Sequence, residues 1–177
     1  MPRTPLHAAA AVVWAVTLAS LPAAAQDCGD PAYHWSDTMP SINLRHVFCG
    51  DMRDDGRPVG FHSTQALGQP QVPRLVAGTI EPPHRVGIYS ATVAFDNGRD
   101  KFSTFFPDAC SEAQVVASVL HAAGDAAPAD GTWGLVGPSA PAAGAEGYCL
   151  VEGAPFAIRF AYLGQGTGRI NTAFPHD

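Results

Sequence analysis

Alternation of apolar and polar side chains predicts a β-hairpin in the middle of the chain. Residues 86–95 are rich in β-branched and aromatic side chains, and residues 99–106 continue in the same manner. Between them, Asp96-Asn97-Gly98 is typical of a tight turn with two positive-φ positions. The period of two then places on one face of the returning strand Lys101, Ser103 and Phe105.

A second hairpin is predicted near residue 165. Residues 156–163 and 169–174 form its strands, and residues 164–168 form a glycine-rich turn. Glycine-rich loops that bind nucleotide phosphates open a helix, whereas this one opens another strand, so it does not predict a nucleotide site. The period of two places on one face of the last strand Ile170, Thr172 and Phe174.

One helix is predicted between the hairpins. Ser111 and Gln114 have the spacing of a capping box, apolar residues follow at helical intervals through 115–123, and Gly124 marks the end. The remaining expectations are short strands at 74–76, 132–136 and 148–152, a linker at 126–130 and a loop at 137–147. Together these elements predict an α+β fold, in which antiparallel hairpins form two small sheets accompanied by a few helices.

Two short apolar segments near residue 50 each carry one histidine, His46 and His62. Residues 51–58 between them are charged and contain glycine and proline, which is typical of a turn. If the segments pair as antiparallel strands about Asp54, the two imidazoles lie opposite each other on one face. A single histidine is more often a surface or core residue than a catalyst. Two that meet, however, can exchange protons with a phosphodiester near neutral pH.

The first 25 residues have the pattern of an export signal. Arg3 precedes an apolar run at 8–20, and small residues before Ala25 provide a cleavage site. The run is short for a membrane span, so a cleaved signal is favoured over an anchor. We therefore expect a secreted or periplasmic protein of residues 26–177, which form a single domain, with no membrane association after cleavage.

The charge balance limits the kind of nucleic-acid partner. The full chain has 10 basic and 16 acidic residues. Removing the signal removes one arginine and no acid, which leaves 9 basic residues against 16 acidic ones and a net charge of −7. Because affinity for nucleic acid depends largely on Lys and Arg at phosphates, any binding should be weak and confined to one site. No basic run provides a separate tether.

Four cysteines follow the signal, and an even number in an exported chain favours two disulfides. Sequence alone permits three connectivities, of which we favour Cys28 with Cys49 and Cys110 with Cys149. The alternative is a zinc site in which His46, Cys49 and His62 are ligands. That alternative predicts a free thiol at Cys49, but the chain has no Cys-x-x-Cys pair to support it.

From Leu44 onwards, the chain resembles the EndoU family of endoribonucleases in its compact bacterial form, which often occurs in toxins. The resemblance is carried by His46-Val-Phe-Cys-Gly-Asp, Gly60-Phe-His62-Ser, Lys101-Phe-Ser-Thr-Phe-Phe-Pro107 and Ile170-Asn-Thr172-Ala-Phe-Pro175, in the family's order. The chain departs from the family pattern at two positions. Phe174 stands where tyrosine is common, and Cys110 where bacterial relatives often have tryptophan.

The resemblance implies cleavage of RNA by attack of a ribose 2′-hydroxyl on the adjacent phosphorus, which gives a 2′,3′-cyclic phosphate. It implies that His62 is the base, that His46 is the acid, and that Lys101 stabilises the added negative charge. Thr172 would contact a base, with uracil expected, Phe174 would stack on the nucleoside, and Ser103 would assist. No metal site or other cofactor is expected, and the need for manganese stays open.

The resemblance also suggests partners, and the charge balance motivates a competing function. The partners expected are an RNA substrate and, for a toxin, an immunity protein, and the protein itself is expected to be a monomer. The competing hypothesis is an exported binding module that keeps the fold without useful turnover. It is motivated by the acidic balance, which is unusual for a nuclease.

Overall fold

The computed structural model describes residues 27–130 and 133–176. The export signal expected at 1–25 lies outside the described residues, as does the start of the strand expected at 132–136. The strands are β1 (Ser41–Ile42), β2 (Asp51–Met52), β3 (Pro58–Val59), β4 (Arg74–Leu75), β5 (Tyr89–Ala94), β6 (Asp100–Phe105), β7 (Ala127–Pro128), β8 (Leu135–Pro138), β9 (Ala157–Tyr162) and β10 (Arg169–His176). The α-helix of the described part, α1 (Glu112–Gly124), lies between β6 and β7 in the chain.

The strands form two main sheets and a small ribbon. One sheet has five strands in the order β1, β10, β9, β8, β7, and the other has three in the order β4, β5, β6. The ribbon consists of β2 and β3. Neighbouring strands are antiparallel except β1, which pairs parallel with β10. The predicted α+β class is confirmed.

The first predicted hairpin is present as β5 and β6, with Ala94 opposite Asp100. Its turn differs in detail from the prediction, because only Gly98 has a positive φ, of 75°. The Phe95 N–H bonds to the Arg99 carbonyl, which leaves three residues in the loop instead of two. The predicted faces of β6 are confirmed, since Ser103 and Phe105 are buried while Phe102 is 68% exposed.

The second hairpin is present as β9 and β10, but it contains a β-bulge that the sequence pattern did not indicate. Ile170 pairs with Tyr162, and Thr172 pairs with Ala161. Because β10 advances two residues while β9 advances one, Ile170 and Thr172 point to opposite faces. The prediction that Ile170 shares a face with Thr172 and Phe174 is therefore wrong, whereas Thr172 and Phe174 do share one.

Three predictions for the segment between the hairpins need correction. The expected linker at 126–130 contains β7, which pairs with β8. The strand expected at 132–136 is shifted to Leu135–Pro138, so the loop begins later. The strand expected at 148–152 is wrong, because only a single bridge from Val151 to Ala154 forms there. Glu152 and Gly153 both have positive φ, which turns the chain back at once.

Helix α1 forms as its sequence predicts. The Ser111 hydroxyl accepts from the Gln114 N–H, and the Gln114 side chain accepts from the Ser111 N–H, which completes the capping box. Val115 and Val119 are buried in the core. The helix packs on β8 and β9, and Gly137 lets its backbone approach closely, since a Cβ there would collide with Ala122.

Two disulfides join distant parts of the described chain. Cys28 bonds to Cys49 and Cys110 bonds to Cys149, so the favoured connectivity is confirmed. Among the described residues, no helix has the length and apolar character that crossing a membrane requires.

Candidate active site

The segment around His46 is a π-helix, Arg45–Cys49, and not the strand that the apolar pattern suggested. The buried side chain of Asn43 explains how this short helix is held. Its Oδ1 accepts from the His46 N–H at 3.0 Å, and its Nδ2 donates to Asn171 on β10 at 3.1 Å. Since buried polar groups must find partners, this amide fixes the start of the π-helix against the five-stranded sheet.

The segment that carries His62 nevertheless lies against the π-helix. The Phe61 N–H donates to the His46 carbonyl and the His62 N–H donates to the Val47 carbonyl, both at 2.7 Å. Gly60 allows this approach, because it has a φ of 71° and a Cβ there would collide with the His46 carbonyl oxygen. The β2–β3 ribbon forms the turn between them, centred on Asp55 instead of Asp54.

The two imidazoles meet as predicted, although by a different backbone route. The ring centroids of His46 and His62 are 6.0 Å apart with an interplanar angle of 32°. His62 is 7% exposed, and its Nδ1 lies 2.9 Å from the Thr104 carbonyl oxygen. Since a carbonyl can only accept, Nδ1 carries a proton, and the Nε2 lone pair of the neutral ring is left free.

Lys101 reaches the same place from β6. Its Nζ donates to the Gly60 carbonyl at 2.8 Å and to the Ser103 hydroxyl at 3.0 Å. Burial lowers the pKa of Lys101 to about 8. No carboxylate forms an ion pair with Lys101 among the described residues, and its charge acts on both imidazoles.

Burial and the lysine charge together disfavour protonated imidazole. Burial, followed by the charge of Lys101, lowers the pKa of His46 from 6.5 to about 4. The same causes, with His46 added, lower the pKa of His62 well below 6.5. Without a bound anion, both rings are therefore neutral at pH 7. We call His46, His62 and Lys101 the His–His–Lys cluster.

Ser103 lies beneath the His–His–Lys cluster. Its side chain is 2% exposed, and its hydroxyl donates to the Phe61 carbonyl at 2.6 Å. The same oxygen is 3.2 Å from His62 Nδ1 and accepts from Lys101. Ser103 therefore contacts two members of the cluster, Lys101 and His62, and ties them to the backbone of Phe61.

Phe174 and Thr172 approach from β10. The Phe174 ring stacks on His62, with centroids 5.0 Å apart and an interplanar angle of 25°. Thr172 is half-buried on the same face of the strand. The six residues named from the sequence come from four chain segments that pack together, since β10 contacts both β6 and the π-helix, and residues 61 and 62 bond to the π-helix.

Comparison with known proteins assigns the chain to a family. The model of a family described as bacterial EndoU nuclease matches residues 41–177. The chain belongs to the bacterial EndoU nuclease family. No curated protein matches the chain. No solved structure matches it either. The family establishes this EndoU chain as a nuclease, and the match spans both histidines, Lys101 and the last strand.

The zinc alternative loses one of its three ligands in this EndoU chain. Cys49 is bonded to Cys28, so its sulfur is not the thiolate that zinc requires. His46 and His62 alone do not make a zinc site of the usual kind. The described residues contain no cluster of three or more His, Cys, Asp or Glu that could hold a metal ion.

Sequence reasoning missed three residues near the EndoU cluster. Asn43 lies just before the first histidine segment. The role of its side-chain amide depends on a hydrogen bond to Asn171, which is 128 residues away in the chain. Trp133 has its ring centroid 6.0 Å from that of Phe174. Arg159 lies buried on β9 beside β10. The signal that could have revealed Arg159 is a charged residue between the apolar Ile158 and Phe160 of a predicted strand.

Proposed function

We propose that this EndoU protein is an exported endoribonuclease that cleaves RNA by 2′-hydroxyl transesterification. The observation that carries the proposal is the approach of two imidazoles, 6.0 Å apart, beside the Lys101 ammonium. A proton acceptor, a proton donor and a fixed cation are the groups that in-line attack by a 2′-hydroxyl uses. The family supports nuclease activity in general, and the cluster supports this chemistry.

His62 acts as the general base. Because its Nδ1 donates to the Thr104 carbonyl, its Nε2 lone pair is free to take the proton of the ribose 2′-hydroxyl. The 2′-oxygen then bonds to phosphorus as the bond from phosphorus to the 5′-oxygen breaks. His46, as imidazolium, gives its proton to the departing 5′-oxygen, which yields a 2′,3′-cyclic phosphate and a free 5′-hydroxyl.

Lys101 stabilises the extra negative charge on the non-bridging oxygens. Its Nζ is held by two hydrogen bonds, so little reorganisation is needed when the charge develops. Ser103 supports both Lys101 and His62 from below. No step of this mechanism uses a metal ion or another cofactor.

Phe174 and Thr172 contact the nucleoside on the 5′ side of the broken bond. The Phe174 ring lies against His62, which places an aromatic surface next to the general base. Thr172 offers one hydroxyl on the same face, which suits the polar edge of uracil. We therefore expect uridine to be preferred at this position.

The proposal is tested by cleavage of a uridine-containing oligonucleotide. Replacing His46 or Lys101 by alanine should lower kcat/KM by at least about 100-fold, since each removes a proton carrier or the fixed cation. The exposed His84 is the matched control, and His84→Ala should cleave as the wild type does. Undiminished cleavage by both His46→Ala and Lys101→Ala would refute the assignment.

A non-catalytic RNA-binding module is the second candidate. It is favoured by the lowered pKa of both histidines, because the imidazolium needed as acid is scarce at pH 7 without a bound anion. A bound phosphodiester carries a negative charge that raises both pKa values, so turnover stays the first candidate. Retention of an oligonucleotide without any cyclic phosphate product would favour the binding module instead.

Export follows from the leader pattern, and both disulfides are compatible with it. We propose that cleavage after Ala25 releases residues 26–177 as a single-domain monomer into the periplasm or the medium. A role as a toxin, with an immunity protein as partner, fits an exported nuclease. N-terminal sequencing of the protein recovered from the culture medium or periplasm tests the cleavage site.

A further inference from the structure

Arg159 on β9 is a buried cation without an anionic partner among the described residues. Its side chain is 8% exposed, and among the described residues no other Arg or Lys is buried. Nη2 lies 2.9 Å from His176 Nε2, while Nε is buried and has no hydrogen-bond partner. A guanidinium carries five N–H donors, so most of its capacity is unused.

The strand register places Arg159 beside the active site. Its Cα is paired with that of Phe174 across β9 and β10, so the two side chains start on the same face. Directly opposed residues have Cβ atoms about 5 Å apart. The Phe174 ring in turn stacks on His62. Phe174 is therefore a neighbour of both Arg159 and the general base.

The energetics of burial favour an anion at this position. Removing a guanidinium from water is unfavourable, and a hydrogen bond to a neutral imidazole compensates only part of that cost. Nε2 of His176 can accept a hydrogen bond only when that ring is neutral, so it brings no negative charge. The described residues place no carboxylate within ion-pair distance of Arg159.

An exposed aromatic residue lies at the same place. Trp133 is 55% exposed, and its ring centroid is 6.0 Å from that of Phe174. Indole rings on a protein surface are costly to hydrate and are favourable platforms for nucleobases. Phe174 thus has the His–His–Lys cluster on one side, with Arg159 and Trp133 as its further neighbours.

We propose that Arg159 binds a second phosphate of the RNA strand, adjacent to the one that is cleaved. This inference rests on the proposed function, because it places the scissile phosphate at the His–His–Lys cluster. The planar guanidinium suits a phosphate through paired hydrogen bonds, and in an acidic protein with few cations each cation at a phosphate adds to the affinity for RNA. Trp133 lies where the base attached to that phosphate would stack.

The test uses 2′-deoxy probes, which lack the attacking hydroxyl and report binding alone. Affinity is measured by calorimetry for the dinucleotide dUpdU and for the same dinucleotide with one additional phosphate at its 5′ or its 3′ end. One of the two additions should tighten binding to the wild type about 10-fold, the value of one charged hydrogen-bonded contact. In Arg159→Gln the gain should vanish, while affinity for dUpdU stays within about twofold.

Two controls separate this result from a general loss of charge. Arg74 is exposed on β4, at the far edge of the other sheet, so Arg74→Gln should keep the full gain. Asp177 follows His176 in the sequence and lies outside the described residues. Asp177→Asn should also keep the gain. If the gain is absent in the wild type and appears only in Asp177→Asn, the Asp177 carboxylate occupies Arg159, and the proposal is overturned.

Further outcomes are equally decisive. A full gain in Arg159→Gln, or no gain at either end in the wild type, overturns the proposal. If Arg159→Gln does not fold, Arg159→Lys decides, because lysine keeps the charge without the paired donors and should reduce the gain, whereas an unchanged gain overturns the proposal. A gain that depends on Arg159 in a protein that does not cleave RNA would refute the proposed function alone.

Discussion

At the scale of single residues, burial determines which protonation states the active site can adopt. His62 and Lys101 are held by hydrogen bonds to backbone carbonyls, and neither has a carboxylate partner among the described residues. Burial, followed by the charge of Lys101, lowers the pKa of both His46 and His62 below the usual value. A pH profile that depends on two histidines is bell-shaped with its optimum near their pKa, so the lowered pKa values move the optimum of this site towards acid.

The pH dependence of kcat/KM follows from these shifts. In the free enzyme the pKa of His46 is about 4, so the fraction of His46 in the imidazolium form falls about tenfold for each pH unit above 4. We expect kcat/KM for a uridine dinucleotide to decrease between pH 5 and 7, with a further decrease above the Lys101 pKa of about 8. The profile of kcat should lie at higher pH, because bound phosphodiester raises the imidazole pKa.

An NMR titration of the imidazole protons provides the matched check. Lys101→Met removes the positive charge beside both rings and keeps an unbranched side chain, so the pKa of His46 should rise in that variant. An unchanged pKa of His46 in Lys101→Met, or a maximum of wild-type kcat/KM above pH 7, would contradict this account of the site.

At the scale of elements, the sequence predicts those that depend on local patterns and does not predict those that depend on contacts between distant segments. Both hairpins and the capped α1 follow from periodicity, turn residues and the Ser111–Gln114 box, which act within a few residues. The π-helix and the bulge in β10 depend on tertiary contacts instead. Asn43, for example, holds the π-helix through Asn171, which lies 128 residues away in the chain.

The contact between the π-helix and residue 60 predicts a selective effect of one glycine. Gly60→Ala introduces a Cβ where the His46 carbonyl lies, so it should separate His46 from His62 and reduce kcat/KM by at least about 100-fold. Gly78 is the control, because its φ of 77° is similar and nothing lies within 4 Å of an added Cβ. Gly78→Ala should cost about 1 kcal/mol of stability from backbone strain and leave activity intact.

Parallel activity assays and thermal denaturation of the two glycine variants separate strain from collision. Equal activity in Gly60→Ala and Gly78→Ala would show that the approach of the π-helix to residues 60–62 is not needed for function.

At the scale of the whole molecule, the active site lies where the two main sheets meet. The three-stranded sheet supplies Lys101, the five-stranded sheet supplies Thr172 and Phe174, and the π-helix and residue 62 lie between them. These residues were predictable from the sequence because each lies in a short motif. Arg159 and Trp133 were not predictable, because their importance comes only from neighbours across strands and loops.

The two disulfides should contribute differently to stability and activity. Cys49 ends the π-helix that carries His46, whereas Cys110 precedes the cap of α1. Removing the Cys28–Cys49 bond as a Cys28→Ser, Cys49→Ser pair should cost about 3 kcal/mol and also lower kcat. Removing the Cys110–Cys149 bond, which closes a longer loop, should lower the free energy of unfolding by about 4 kcal/mol and leave kcat near wild type below the melting temperature.

Melting curves and assays well below both melting temperatures distinguish these effects. A Cys28→Ser, Cys49→Ser protein with wild-type kcat would show that the bond is not needed to hold His46 in place.

The most direct test of the central claim is analysis of the cleavage product by ³¹P NMR. The wild-type protein is incubated with the dinucleotide UpU, and with the same dinucleotide lacking the 2′-hydroxyl at the cleaved position. The account predicts a 2′,3′-cyclic phosphate from the first and no cleavage of the second. A linear phosphate formed without a cyclic intermediate, or cleavage of the 2′-deoxy dinucleotide, would contradict it.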